Sequence, residues 1–352
     1  MKRWFTLISL VAVLTLLVAC QPKGEITNAP EATKKETTKK LALIMQVNLG
    51  TFSAQYIAGV KEQAQKLGAD VTVFTADGDL AKMSSNLDAA INQKFDGILI
   101  DHGTKESLTK GVERAKEQGI PVVAFDAGLE VAGVPVLEQN DELLAQQTLQ
   151  KLKEDSNGKA NIVKIWVAGF APMERREVAY KEFLQANEGI KEVATFGSAT
   201  ASTALDTQAQ MEALLKQYPN KGDITAIWAA WDEFAKGAVR ALEQAGRTDI
   251  KVYGIDMSDE DLQLMQKQGS PWVASAAVDP TDIGRIQVRY LYQLLLGETP
   301  QDKIQLTPVF VDQAKLPKEQ ITTAQLSEYI EGWGSSDEGY TDSVRKAEED
   351  AQ

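Results

Sequence analysis

From residue 41 to residue 257 the chain alternates short apolar runs with longer stretches of helical periodicity. Residues 41–47 (LALIMQV) form a strand-like apolar run. Residues 54–68 carry apolar positions at helical spacing and stop on a glycine. Residues 70–77 (DVTVFTAD) alternate as a strand, 80–94 read as a helix, and 95–101 (FDGILID) as a buried strand. A helix over 107–119 and a strand over 120–127 (IPVVAFDA) follow. The same order then restarts with strands at 160–169, 192–199, 224–230 and 250–257, and helices at 173–187, 207–219 and 233–246. Strands that are apolar throughout, separated by amphipathic helices, indicate parallel sheets covered on both faces. The pattern predicts an α/β protein with two doubly wound parallel-sheet units in tandem.

The chain ends depart from this rhythm. Lys2 and Arg3 precede an apolar run over residues 4–19. That run is shorter than the roughly 20 residues a membrane-spanning helix needs, and its shape is that of a secretory signal. Residues 17–20 (LVAC) resemble the bacterial lipobox. The resemblance implies cleavage before Cys20, lipidation of its thiol, and attachment to a membrane on the outer face of the cell or in the periplasm. Cys20 is the only cysteine, so no intramolecular disulfide framework exists. Residues 20–40 are polar and low in apolar side chains, as expected of a flexible tether. Residues 331–352 are acidic and rich in Ser and Gly, and are expected to be a poorly ordered tail.

Composition narrows the partners. The formal net charge is −13, which disfavours nucleic acid because its phosphates would be repelled. No phosphate-binding glycine loop, metal-spaced His/Cys cluster or nucleophile elbow is present. With one histidine and one cysteine, Ser-His-Asp and Cys-His chemistry lack support. The reading is therefore a binding protein without cofactor or metal, not an enzyme, and a monomer.

In doubly wound sheets ligands bind beyond the carboxyl ends of the strands. The residues there are Asn48, Phe52, Ser53, Asp101, His102 and Asp126 in the first unit, with Gln139 where it ends. In the second they are Arg176, Trp231, Asp232 and Asp256. Carboxylates and guanidinium groups engage neighbouring hydroxyls through paired hydrogen bonds, and aromatic faces pack on the C–H faces of a sugar ring. The set suits a small, uncharged, polyhydroxylated ligand. Asp101 and Asp232 serve equally well as helix caps or turn residues. Arg176 stands in a first helical turn, where a cation opposes the helix dipole, so its placement suggests a purpose. Arg175 beside it reads as a solvated residue. Trp231 is expected in the pocket and Trp228 in the core, with Trp166 and Trp272.

Taken together, these stretches resemble the type I periplasmic sugar-binding proteins of ABC importers, the ribose- and galactose-binding family. The resemblance is carried by residues 51–71, by 95–127 with Asp126 at the place of a sugar-binding Asp, and by 168–180 with Arg176 at that of a sugar-binding Arg. It continues through 224–246, 252–269 with Asp256 as the ligand Asp, and 276–285. It covers roughly residues 41–315 and implies two lobes joined by a three-segment hinge, with crossings near 139–141, 278–279 and 307–309. The implied organisation is a signal over 1–19, a tether over 20–40, a first lobe of 41–139 plus 279–307, a second of 140–278 plus 308–330, and a tail over 331–352. Ligand bridging the lobes would favour closure, and the closed form would dock on a permease. The chain departs from the family where its Asn before Asp-Glu is Trp231, the residue after the sugar-binding Asp is Ala127, and a polar residue before the hinge Asp is Val278. These exchanges imply a ligand other than ribose in its usual ring form, such as a deoxy sugar, another monosaccharide, a sugar alcohol or a sugar-derived signal. Three other readings compete with this one. A receptor passing a nucleoside or sugar-derived signal to a sensor protein keeps the fold. A repressor would need a helix-turn-helix where the lipobox stands. A glycosidase would use Asp126 and Asp256 as paired carboxylates.

Overall fold

A computed structural model of the protein describes residues 38–334 and 336–352. The apolar leader, Cys20 and the stretch up to residue 37 lie outside the described residues.

Strand β1 (Lys39–Met45) shows why the apolar runs are continuous. Leu41, Leu43 and Met45 enter one core cluster, while Ala42 and Ile44 enter another on the opposite face. The strand starts at Lys39, so the last two residues of the expected tether belong to the body. The Lys39 and Lys40 backbone continues the ladder opposite Ala69 and Asp70, past the point where the apolar signal ends. With β2 (Ala69–Thr75), β3 (Gly97–Asp101), β4 (Val122–Phe125), β5 (Val136–Glu138) and β11 (Lys303–Gln305), β1 forms a six-stranded parallel sheet in the order β11-β5-β4-β3-β1-β2. The second sheet contains β6 (Ala160–Ile165), β7 (Ile190–Phe196), β8 (Ala226–Ala229), β9 (Lys251–Ile255), β10 (Trp272–Ala277) and β12 (Val309–Asp312). Its order is β12-β10-β9-β8-β6-β7, parallel except where β12 pairs antiparallel with β10.

Ten helices cover the described residues: α1 (Gly50–Lys66), α2 (Leu80–Asn92), α3 (Lys105–Glu117), α4 (Asp141–Asp155), α5 (Ala171–Ala186), α6 (Thr203–Gln217), α7 (Asp232–Gln244), α8 (Asp259–Gln266), α9 (Pro280–Leu295) and α10 (Asp342–Asp350). Helices α1 and α9 meet backbone to backbone. A Cβ at Gly59 would lie 1.9 Å from Thr281 O, and one at Gly284 would lie 2.4 Å from Tyr56 O. Only glycine permits that approach.

The chain passes from one sheet to the other between β5 and α4, between β10 and α9, and between β11 and β12. It passes once more after Trp333. That ring is buried in the second lobe's core, with Nε1 donating to Thr323 O. Ser336 N donates to Asp282 Oδ2 on α9, and Arg289 Nη1 donates to the carbonyls of Ser336 and Glu338. The expected loose tail is therefore ordered. Tyr340 lies between the guanidinium groups of Arg289 and Arg345, Thr341 caps α10, and Val344 is fully buried in the first lobe's core. Its composition gave no hint of this, because the contacts are made to residues some 50 to 280 positions earlier.

Candidate functional site

The facing strand ends repeat one local device. His102, Asp126 and Asp256 follow β3, β4 and β9 with φ of 61°, 48° and 73°. Each donates its N–H at 2.9 Å to a carbonyl at or next to the end of the neighbouring strand, of Phe125, Leu137 and Ala276 respectively. The left-handed turn stops the strand and swings the side chain into the space between the lobes. Asp and His tolerate that conformation better than most residues, and such strain concentrates at functional sites.

These turns open on a cavity between the lobes. The first lobe contributes Val47, Leu49, Phe52, Ser53, Tyr56, Asp101, His102 and Asp126, with Gln139 at the crossing. The second contributes Val167, Phe170, Met173, Arg176, Trp231 and Asp256. The sheet orders divide this lining. Asp126, Gln139 and Asp256 come from strand ends near the crossings, whereas Val47, Leu49, Val167 and Phe170 come from the ends of β1 and β6, toward the opposite edges. One end is hydrogen-bonding and charged; the other is apolar.

The polar end is a chain of alternating charge. Asp141, buried at the start of α4, accepts Arg175 Nε on Oδ2 and Arg176 Nε on Oδ1, both at 2.7 Å. Arg176 also donates to Ala230 O at 2.7 Å and reaches the Asp256 carboxylate at 3.4 Å. Arg175 Nη2 crosses to Asp126 Oδ1 at 2.8 Å. Gln139 Nε2 donates to Asp126 Oδ2 at 3.1 Å, and Asp101 Oδ1 pairs with His102 Nδ1 at 2.7 Å. Phe125 and Phe170 hold the imidazole edge-on from either lobe.

Electrostatics follow from burial. Burial, then the neighbouring Asp141 charge, pushes Asp126 up to about 7, against the pull of Arg175, His102 and Arg176. Burial raises Asp256 to about 6 even with Arg176 beside it. Burial alone would lower the His102 pKa, but the Asp101 carboxylate outweighs it and raises the value. Asp101, Asp126, Asp141 and Asp256 stand close to two guanidinium groups and one imidazole, so carboxylates outnumber the fixed cations in the site.

Nine of the eleven expected ligand residues line the cavity; two do not. Asn48 is exposed and lines an adjoining cleft with Asp77 and Thr200, because its side chain turns away from the cavity that Val47 and Leu49 face. Asp232 is fully buried at the first turn of α7, 3.2 Å from Lys236 one turn on, and its Oδ1 accepts from Glu233 N. The Asp-x-x-x-Lys spacing carried that structural role in the sequence. Arg175 is not simply solvated: it joins Asp126, Asp141 and Glu138. Outside the expected ligand set, Val47, Leu49, Tyr56, Val167, Phe170 and Met173 also line the cavity. Tyr56 stands one turn after Phe52 and Met173 three residues before Arg176, so helical periodicity could have placed both. Trp231 lines the cavity, while Trp228 lies in the core, stacked on Tyr180. Among the described residues no group of three or more His, Cys, Asp or Glu is placed to hold a metal ion, and no helix is long and apolar enough to cross a membrane.

The family model described as periplasmic binding protein domain matches residues 41–299. The ribose import binding protein of Bacillus subtilis (strain 168) is 27% identical over 297 residues, spanning 83% of this chain and 93% of that protein. The crystal structure of a sugar ABC transporter protein from Yersinia enterocolitica superposes with a TM-score of 0.87 at 36% identity, over 91% of this chain and 97% of that one. A 5-methylthioribose transporter solute-binding protein from Thermotoga lettingae, solved with 5-methylthioribose, gives a TM-score of 0.85 at 37% identity, over 88% and 98%. These relatives bind and deliver solutes; they are not enzymes.

Proposed function

Because the chain belongs to the periplasmic binding protein family, among the sugar-binding proteins of ABC transporters, we propose that it captures a small uncharged sugar derivative with one apolar substituent and delivers it to a membrane permease. The observation that carries this reading is the divided cavity. Asp126, Gln139, Arg176 and Asp256 at one end suit hydroxyl groups; Val47, Leu49, Val167 and Phe170 at the other suit a group that makes no hydrogen bonds. A pentose whose terminal hydroxyl is replaced by a thioether has that division, and the Thermotoga lettingae relative was solved with such a ligand. The excess of carboxylates disfavours phosphorylated sugars. The family works outside the cytoplasm, and lipid on Cys20 would tether the protein beside its permease.

Calorimetric titration of the full chain with 5-methylthioribose, D-ribose, allitol, ribose 5-phosphate and 5′-methylthioadenosine tests the reading. Burying the S-methyl group contributes about 1–2 kcal/mol. A terminal hydroxyl forced against the same wall without a partner loses about 1–3 kcal/mol. D-ribose should therefore bind on the order of 100-fold more weakly than the thioether, and ribose 5-phosphate not measurably. Binding of the nucleoside alone would move the assignment to a nucleoside receptor, with the aromatic rings holding the base. Binding of none of the five would sink it. Metabolic labelling with an alkynyl fatty acid, lost in Cys20→Ser, tests the anchor.

A further inference from the structure

Arg175 rises from the first turns of α5 in the second lobe, yet its Nη2 ends 2.8 Å from Asp126 Oδ1 in the first. Its Nε is held by Asp141 Oδ2 at 2.7 Å, and Nη1 lies 3.4 Å from Glu138 Oε1. The guanidinium does not line the ligand cavity. It borders an outer cleft with Gly128 and Lys303 and is 24% exposed there. It therefore covers Asp126 from behind, on the side away from the cavity. The next residue in the first lobe, Ala127, is buried and carries no charge, so the cation on this carboxylate comes from the facing lobe.

We propose that Arg175 is a positioning residue for ligand binding: the cation that the second lobe brings onto Asp126 at closure, keeping that carboxylate ionised and oriented to accept hydrogen bonds from the ligand. This rests on the reading of the cavity as a sugar site. The groups around Asp126 explain why such a cation is needed. From β3 it faces Asp101 and His102, from α1 Tyr56, from the first crossing Glu138, Gln139 and Asp141, from α5 Arg175 and Arg176, and from β9 Asp256. Carboxylates outnumber cations in that set. Without Arg175 the enclosed Asp126 takes up a proton instead, and an acceptor of two hydroxyl hydrogens becomes a donor of one. In an open protein water solvates the carboxylate and no cation is required. Arg175 thus contributes to the closed form and little to the open one, which is the differential contact a closing protein needs.

The test titrates the full-length wild type, Arg175→Gln and Arg175→Lys with 5-methylthioribose and D-ribose between pH 6.0 and 8.5. At pH 8.5 Asp126 must close over the ligand as an anion, and Arg175→Gln should bind at least tenfold more weakly than the wild type. The deficit should shrink toward pH 6.0, where Asp126 closes as a neutral acid, and Arg175→Lys should recover part of it. Equal affinity at every pH, or an equal deficit at every pH, would overturn the assignment; the second result would mean that Arg175 only packs. If neither sugar binds the wild type, the sugar reading fails, and the role of Arg175, which rests on it, falls with it; binding by the wild type with no pH-dependent deficit in Arg175→Gln overturns the role alone.

Discussion

Gln139 donates through Nε2 to Asp126 Oδ2 at 3.1 Å, while the other end of the same amide, Oε1, is buried and has no partner. A buried acceptor left unsatisfied costs about 1–3 kcal/mol, so native proteins rarely carry one without a use. Its position on the cavity wall leaves it available to accept from a ligand hydroxyl. Gln139→Ala should weaken binding by about 1.5–3 kcal/mol, roughly 10- to 150-fold. The ligand-free melting temperature should hardly move, because the orphan acceptor leaves with the amide. Calorimetry and a melting curve on the same preparation check both halves. A large fall in stability with unchanged affinity would make Gln139 a structural residue.

Arg176 behaves differently from a surface-accessible ligand residue. It is 1% exposed and tied to Asp141, Ala230 O and Asp256. Arg176→Ala would leave two buried carboxylates short of their counter-charge, a change that costs about 3–5 kcal/mol. The variant should lose both binding and much of its stability in urea denaturation. Preserved stability with lost binding would mean that Asp141 and Asp256 find other partners.

Closure should also be sensitive at the start of α1. Gly50 has φ of 67°, and a Cβ there would sit 2.0 Å from Glu233 Oε1, which Lys236 holds at 2.5 Å. Nearby, Gln55 of the first lobe accepts from Asp259 N and donates to Thr323 Oγ1 of the second. Gly50→Ala pays the strain of the left-handed backbone in any state, but meets the carboxylate only when the lobes close. The expected result is an affinity loss of about tenfold, about 1.4 kcal/mol, with small-angle scattering showing a more open particle at saturating ligand. Unaltered affinity would mean that Glu233 simply moves aside.

Stability should fall as pH rises across neutrality. Asp126 and Asp256 are raised from an ordinary 3.8 to about 7 and about 6, Asp279 is raised by burial to about 6, and His102 is raised above 6.5. In each case the folded state holds its proton more tightly than the unfolded state. The resulting stabilisation is complete below the unfolded-state value and is lost as pH climbs through the folded-state value. For the carboxylates the loss runs from about pH 4 to about pH 7, and for His102 it begins near 6.5. Glu62 and Asp249 shift downward, but their contribution is constant above about pH 5. The ligand-free melting temperature at constant ionic strength should therefore be higher at pH 5.5 than at pH 8. A rise with pH would contradict the buried-acid account.

The ordered tail predicts a further cost. Deleting residues 337–352 removes Val344 from the first lobe's core and takes Tyr340, with Arg345, away from Arg289. Val344 alone is worth about 2 kcal/mol, which lowers the melting temperature by about 4–8 °C in a domain of 150–250 residues. No change on truncation would mean that the tail only rests on α9.

What the sequence by itself determined was the architecture and the cavity-facing strand ends. Continuous apolar runs such as residues 41–45 must be covered on both faces, which dictates parallel sheets between helices, and in such sheets the polar residues just past Asp101, Phe125 and Ile255 have nowhere to go but the cleft. Local spacing could also have revealed that Asp232 answers Lys236, since one helical turn separates them. The tertiary structure alone decided which polar residues are free to meet a ligand and which meet each other. Arg175 and Arg176 are adjacent in sequence and alike in chemistry. One reaches across the lobes to Asp126 and the other turns inward to Asp256, because Asp141, brought in by the first crossing, offers one oxygen to each. The tail was equally undetermined locally: it has too little apolar surface to order itself, and becomes ordered only because α9 and the core beside it supply the other half of every contact.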